Sequence, residues 1–110
     1  MGFPKRGEIY WVRLDPTMGS EIKKTRPALI VSNDIGNEVS DRVIAAPITS
    51  KAGKSYPFET EIEINGTKGR VLLDQIRALD KRRLGSKMGD IPLDKIKEVN
   101  EALKLALDLA

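Results

Sequence analysis

The sequence predicts a mostly β domain: a small, strongly bent antiparallel sheet or partial barrel with one C-terminal α-helix. Three observations carry that reading. Several short apolar runs are separated by Gly, Pro, Asn and Asp, the residues that make turns. One run, Phe58 to Ile64, alternates between Phe58, Thr60, Ile62, Ile64 and the glutamates at 59, 61 and 63, the period of a half-buried strand. The end of the chain changes to a helical period, with Leu93, Ile96, Val99, Leu103, Leu107 and Ala110 on one stripe. A length of 110 residues supports one domain, spanning 1–110.

Taken in order, Glu8 to Leu14 reads as the first strand. Tyr10, Val12 and Leu14 fall on one face and Ile9 and Trp11 on the other. Both faces are largely apolar, so the strand is expected to be covered twice: by the core, and by a helix or a second subunit. A long polar stretch, Asp15 to Thr25, follows, and connections of that length are often functional. Pro27 to Val31 is a short buried strand. Asn33-Asp34 and Gly36-Asn37 mark a turn region. Arg42 to Ala46 is a third strand, which Pro47 is expected to end or to place at a sheet edge, because proline cannot donate to the ladder. Ser50 to Pro57 is a second loop. Asn65-Gly66 predicts a tight hairpin into Gly69 to Leu73, with the strand running on towards Asp74 to Arg77. Lys81 to Lys87 is basic, and Asp90 and Pro92 are start signals for the helix over Leu93 to Leu109.

Composition limits the chemistry. With no cysteine, disulfides, iron–sulfur clusters and thiol catalysis are excluded. With no histidine, the commonest general base is missing, and only carboxylates remain as zinc or copper ligands, so no metal and no cofactor is expected. The net charge of +3 points mildly towards an anionic partner. No apolar run approaches the ~20 residues of a membrane span. The polar stretch Met1 to Glu8 is unlike a signal peptide, so cytoplasmic residence is the expectation.

Two prolines single out two residues. Pro27 forces Arg26 into an extended conformation and aims its guanidinium from the junction of the long loop and a buried strand. Thr49 lies just beyond Pro47, with a stiff χ1 and a hydroxyl that donates and accepts. If those strand ends are neighbours, an Arg fork and a hydroxyl converge, a pair suited to a phosphodiester. Glu21 is a candidate general base, or a partner that orients Arg26. Gln75 and Arg77 would alternate on one strand face and line a groove. The Lys81-Arg82-Arg83 run is a candidate phosphate-steering patch. Trp11 reads as a core or interface residue.

The motifs Gly7-Glu-Ile-Tyr-Trp-Val12, Leu14-Asp-Pro-Thr17, Gly19-Ser-Glu21, Thr25-Arg-Pro-Ala-Leu-Ile-Val-Ser-Asn33, Ala46-Pro-Ile-Thr-Ser50, Tyr56-Pro-Phe58 and Leu73-Asp-Gln-Ile-Arg77 together resemble the MazF/PemK family of toxin–antitoxin toxins. The resemblance runs from about Gly7 through the C-terminal helix. It implies an SH3-like barrel with a C-terminal helix, a homodimer, and an endoribonuclease that cuts single-stranded RNA, chiefly mRNA, at short sequences. It also implies a cognate antitoxin, expected to be acidic and partly disordered, that blocks the site. Carried over by position, Arg26 and Thr49 match the catalytic pair and Glu21 the loop glutamate linked to activity. The loops that carry Ser20, Lys23, Lys24 and Thr25, and Ser50, Lys51 and Lys54, match segments bordering the RNA. RNA supplies its own 2′-OH nucleophile, so the expected products are a 2′,3′-cyclic phosphate and a 5′-OH. Two other readings stay open: a toxin of the same fold that poisons DNA gyrase, and a nuclease-dead nucleic-acid-binding module.

Overall fold

A computed structural model describes every residue except Met1, Thr17, Ile22, Lys23, Ala52, Lys54 and Ala110. The strands are β1 (Glu8–Arg13), β2 (Thr25–Ile30), β3 (Arg42–Thr49), β4 (Glu59–Ile64), β5 (Thr67–Leu72), β6 (Arg77–Asp80) and β7 (Leu84–Asp90). The helices are α1 (Asp34–Val39) and α2 (Ile96–Leu107), with 3-10 turns at Leu73–Gln75, Lys81–Arg83 and Leu93–Lys95. The strands form one antiparallel sheet in the order β4-β5-β3-β2-β1-β7, with β6 also paired to β3. The mostly β class with a curled sheet and a C-terminal helix is therefore as the sequence predicts.

The curl gives the chain two cores. Leu29, Ala46, Ile48 and Ile9 face one of them, together with β4, β5 and the Val99 and Ala102 side of α2. Ala28, Ile30, Val43, Ala45, Val12 and Leu14 face the other, with Leu79. Alternate residues of β2 and β3 are thus buried on opposite sides, which is why those strands read as continuous apolar runs. The same holds for β1, so its own chain covers both faces and a second subunit is not needed for that purpose. Trp11 is the exception, 39% exposed.

Several boundaries differ from the sequence reading. The Asn33 region is a short helix rather than a turn: the Asn33 side chain accepts from Gly36 N at 2.8 Å and caps α1. Pro47 neither ends β3 nor lies at an edge. It sits opposite Ala28 in mid-sheet. On its other side β3 pairs with β6 up to Ala45 and with β5 from Ile48, so Pro47 falls at the handover, where its missing N–H interrupts no registered ladder. The strand predicted to run on through Asp74 breaks into the Leu73–Gln75 turn before β6 begins. The basic segment from Lys81 to Lys87 divides: Lys81–Arg83 is a 3-10 turn and the rest enters the sheet in β7. On the C-terminal helix Val99 and Ala102 are buried, and the partly buried Leu103 and Ala106 pack beside them. Leu93, at 86% exposed, and Leu107 lie outside that stripe, and Ala110 is outside the described residues.

The Asn65-Gly66 hairpin is as predicted. Both residues have positive φ, 52° and 79°, the requirement of the turn that matches strand twist. The alternation of β4 holds at Glu61 and Glu63, which are exposed, but Glu59 is not wet: its side chain is 7% exposed and ion-paired to Arg70 at 2.8 Å.

At the β1–β7 edge, Glu8 accepts from Lys5 N at 2.7 Å and the Tyr10 hydroxyl at 2.9 Å, and pairs with Lys87 at 2.9 Å. Burial pushes its carboxyl up, but the three donors outweigh burial and hold it below the ordinary 4.5. A carboxyl lowered by folding stabilises the fold fully above its unfolded value, and that stabilisation is lost as pH falls through the folded value. Glu8→Gln should therefore flatten the decline of melting temperature below pH 4.5. A decline as steep as wild type would remove Glu8 from the acid response.

Candidate active site

The register of the two central strands assembles the site. Ala28 lies opposite Pro47, Leu29 opposite Ala46 and Ile30 opposite Ala45. Extending that register by two residues, past the last registered pair, would set Arg26 opposite Thr49. The two proline-marked strands are thus neighbours at Ala28 and Pro47, two residues short of Arg26 and Thr49. Directly opposed residues of an antiparallel pair share a sheet face.

Each residue is held from behind. Arg26 lies opposite Val12 of β1. Two residues before it, Lys24 has φ 69°, a left-handed conformation that costs a non-glycine residue roughly 1–2 kcal/mol. The Lys24 carbonyl accepts from Leu14 N at 3.1 Å, which closes the base of the long loop. Arg77 donates to the Leu14 carbonyl at 2.9 Å and fastens that base again. The Thr49 side chain is nearly buried, and its Oγ1 accepts from Lys51 N at 3.1 Å. With a lone pair so engaged, the hydroxyl hydrogen is left to point elsewhere. Thr49 also lies opposite Arg70 of β5. Beside that pair Gly69 permits a close approach: a Cβ there would stand 3.0 Å from Ile48 Cγ2 and 3.3 Å from the Thr49 carbonyl oxygen.

Three clefts run side by side past these residues. Arg26, Thr25, Ser50, Lys68, Trp11 and Met88 line one of about 370 Å³. Ser50 and Lys68 are shared with a second, of about 450 Å³, which adds Thr49, Lys51, Arg70 and Lys95 on the basic side and Glu61 and Glu63 on the acidic. Thr25 is shared with a third, lined by Arg13, Lys24, Arg82 and Arg83 against Asp15 and Asp80. In that third cleft the Arg82 side chain holds the Asp80 carboxyl well below its ordinary value, at about 2, so Arg82 meets a permanent counter-charge. The surplus of positive charge there comes from Arg13, Lys24 and Arg83.

The predicted residues divide accordingly. Arg26, Thr49, Lys24, Thr25, Ser50 and Lys51 line this run of clefts. Lys23 and Lys54 lie outside the described residues. Glu21 does not line the clefts; its carboxylate accepts from Met18 N at 2.5 Å within its own loop. Ser20 is an exposed residue of that loop. Gln75 belongs to the 3-10 turn, so it does not alternate with Arg77 on one strand, and Arg77 braces the loop base. Trp11, Lys68, Arg70 and Lys95 line the clefts without having been read as site residues. Gly69, a glycine inside a strand between two cations, was the available signal.

A family model for the "PemK-like, MazF-like toxin of type II toxin-antitoxin system" matches residues 5–107. This chain belongs to the PemK/MazF-like toxin family. It is 40% identical over 111 aligned positions to a protein of Staphylococcus saprophyticus subsp. saprophyticus named Endoribonuclease MazF, covering 96% of this chain and 92% of that one. The crystal structure of MazF from Deinococcus radiodurans superposes with a TM-score of 0.86 at 35% identity, covering 99% of this chain and all of that chain. A mycobacterial endoribonuclease in complex with its cognate antitoxin superposes with a TM-score of 0.82 at 29% identity, covering 97% of each chain. As a family member the toxin presents Arg26 and Thr49 within the matched span. No helix among its described residues is long and apolar enough to cross a membrane.

Proposed function

We propose that this chain is a single-domain toxin endoribonuclease that cleaves single-stranded RNA, chiefly mRNA, at short sequence motifs, and that a cognate antitoxin blocks it. The observation that supports the reading is the β2–β3 pairing at Ala28 and Pro47, with Arg26 and Thr49 each two residues beyond it and lining adjoining clefts that carry Arg and Lys. The relative named as an endoribonuclease and the antitoxin complex of the mycobacterial enzyme support the same reading.

The chemistry follows from the substrate. The 2′-oxygen attacks the adjacent phosphorus, the bond to the 5′-oxygen breaks, and a 2′,3′-cyclic phosphate and a 5′-OH result. The 2′-OH proton leaves with an acceptor, and the departing 5′-oxygen takes one up. Arg26 holds two phosphate oxygens and stabilises the added negative charge as it develops, the kind of contribution that usually dominates. Thr49, its oxygen already accepting from Lys51 N, donates its hydrogen to a non-bridging oxygen. Glu21 is the carboxylate proposed as proton acceptor. One of its oxygens accepts from Met18 N, and a carboxylate has a second oxygen to offer. The flanking nucleotides lie along Lys24, Thr25, Ser50, Lys51 and Lys68, and the three lysine ammonium groups meet phosphates.

Neither a metal nor a cofactor enters this scheme. Purified protein should cut a defined RNA at an undiminished rate in excess EDTA, with mass spectrometry finding cyclic-phosphate and 5′-OH ends. Activity lost to EDTA, or 5′-phosphate ends, would sink the mechanism. We further propose a cytoplasmic homodimer. The apolar residues left exposed on α1 and β3, Ile35, Val39 and Ile44, are surface that a second copy would cover. Sedimentation at micromolar concentration should give twice the chain mass; a monomer would refute it.

A further inference from the structure

We propose that Arg70 is a positioning residue for the Thr49 hydroxyl, acting through the main chain of Lys51. The inference rests on the ribonuclease reading and names a residue that reading does not use. Arg70 lies opposite Thr49 in the β3–β5 ladder. Its Nη1 is paired at 2.8 Å with the Glu59 carboxylate, and its Nη2 donates to the Lys51 carbonyl at 3.1 Å. The N–H of the same Lys51 donates to Thr49 Oγ1. One residue's peptide groups thus connect the strut to the hydroxyl.

Glu59 serves as the strut's foot. Its side chain is largely buried, and its Oε1 also accepts from Tyr56 N at 3.2 Å. Tyr56 stacks on Phe58 with ring centroids 5.2 Å apart. The pair Glu59–Arg70 therefore fastens both ends of the loop that follows Thr49: the Lys51 end through the guanidinium and the Tyr56 end through the carboxylate. A guanidinium is needed for this, because its fork reaches two acceptors in fixed directions, whereas an ammonium is a point donor on a flexible stem. A hydroxyl that must meet a phosphate oxygen is sensitive to such support, since displacement by about 1 Å lowers rates by roughly 100-fold.

The test is a double-mutant cycle between Arg70→Gln and Thr49→Ala, read as RNA cleavage under saturating and subsaturating substrate. Arg70→Gln should lower kcat by about tenfold or more and change KM by less than about threefold, the split of a lost transition-state contact. In the Thr49→Ala background, followed with excess enzyme, the same change should have almost no further effect, because the group it positions is gone. Arg70→Lys should restore little of the rate. Glu59→Gln, which weakens the guanidinium's anchor without removing the guanidinium, should reproduce part of the kcat loss, and it carries the test if Arg70→Gln does not fold. Full kcat in these variants, or an equal further loss without Thr49, would overturn the inference. A wild-type protein that cuts no RNA would instead defeat the ribonuclease reading on which it stands.

Discussion

Arg26→Ala should lower kcat/KM for RNA cleavage by at least about 100-fold, the usual size of one preorganised contact to developing charge. The side chain lines a cleft and belongs to neither apolar core, so the melting temperature should stay within a few degrees of wild type. Arg26→Lys should not rescue the rate, because a single ammonium cannot hold two phosphate oxygens in the plane of a guanidinium. Thr49→Ala should have an effect of similar order. Combining the two should cost much less than the product of the single losses, since both act on one phosphorane. Cleavage kinetics on one short RNA, with thermal melts of each variant, check all of this. Undiminished cleavage by Arg26→Ala would remove the site from this pair of strands.

Affinity for uncleavable RNA should fall steeply with salt. The clefts place Lys24, Arg26, Lys51 and Lys68 along one path. If about four of these meet phosphates, log K should fall with log salt at a slope near −2.8, about 0.7 per contact for a single strand. Going from 50 to 200 mM salt would then weaken binding roughly 50-fold. Lys68→Ala should reduce the slope by about 0.7 and leave the cleavage position unchanged, because a phosphate contact carries no base information. Fluorescence anisotropy across a salt series measures both. A slope near zero would show that the basic surplus lies off the RNA path.

What the sequence revealed follows how local each signal is. The β4–β5 hairpin was legible because strict alternation and Asn65-Gly66 each fix backbone geometry within a few residues. The short helix α1 was not, because at six residues it shows no period, and its Asn33 cap is also a turn signal. Pro47 misled for a different reason. The rule that excludes proline from sheet interiors assumes an unbroken partner on each side, and β3 changes partners there. Arg26 and Thr49 were singled out because prolines mark both, but the pairing of their strands at Ala28 and Pro47 is a matter of register between distant segments. Arg70 escaped notice since a cation on a hairpin strand reads as an exposed position. Its value comes from Glu59, which the alternation placed in water and the fold buried.

The Lys51 peptide has a consequence for how such an enzyme can change. It touches Thr49 with its N–H and Arg70 with its carbonyl, and neither contact involves the Lys51 side chain. Any residue but proline can supply the same two groups. On the proposed ribonuclease reading, the segment after Thr49 is thereby free to exchange the side chains it would show to a nucleotide without disturbing the hydroxyl at its root. Selectivity can drift while the reaction stays fixed, and libraries built across Ser50 to Ser55 are where new cleavage motifs should be sought.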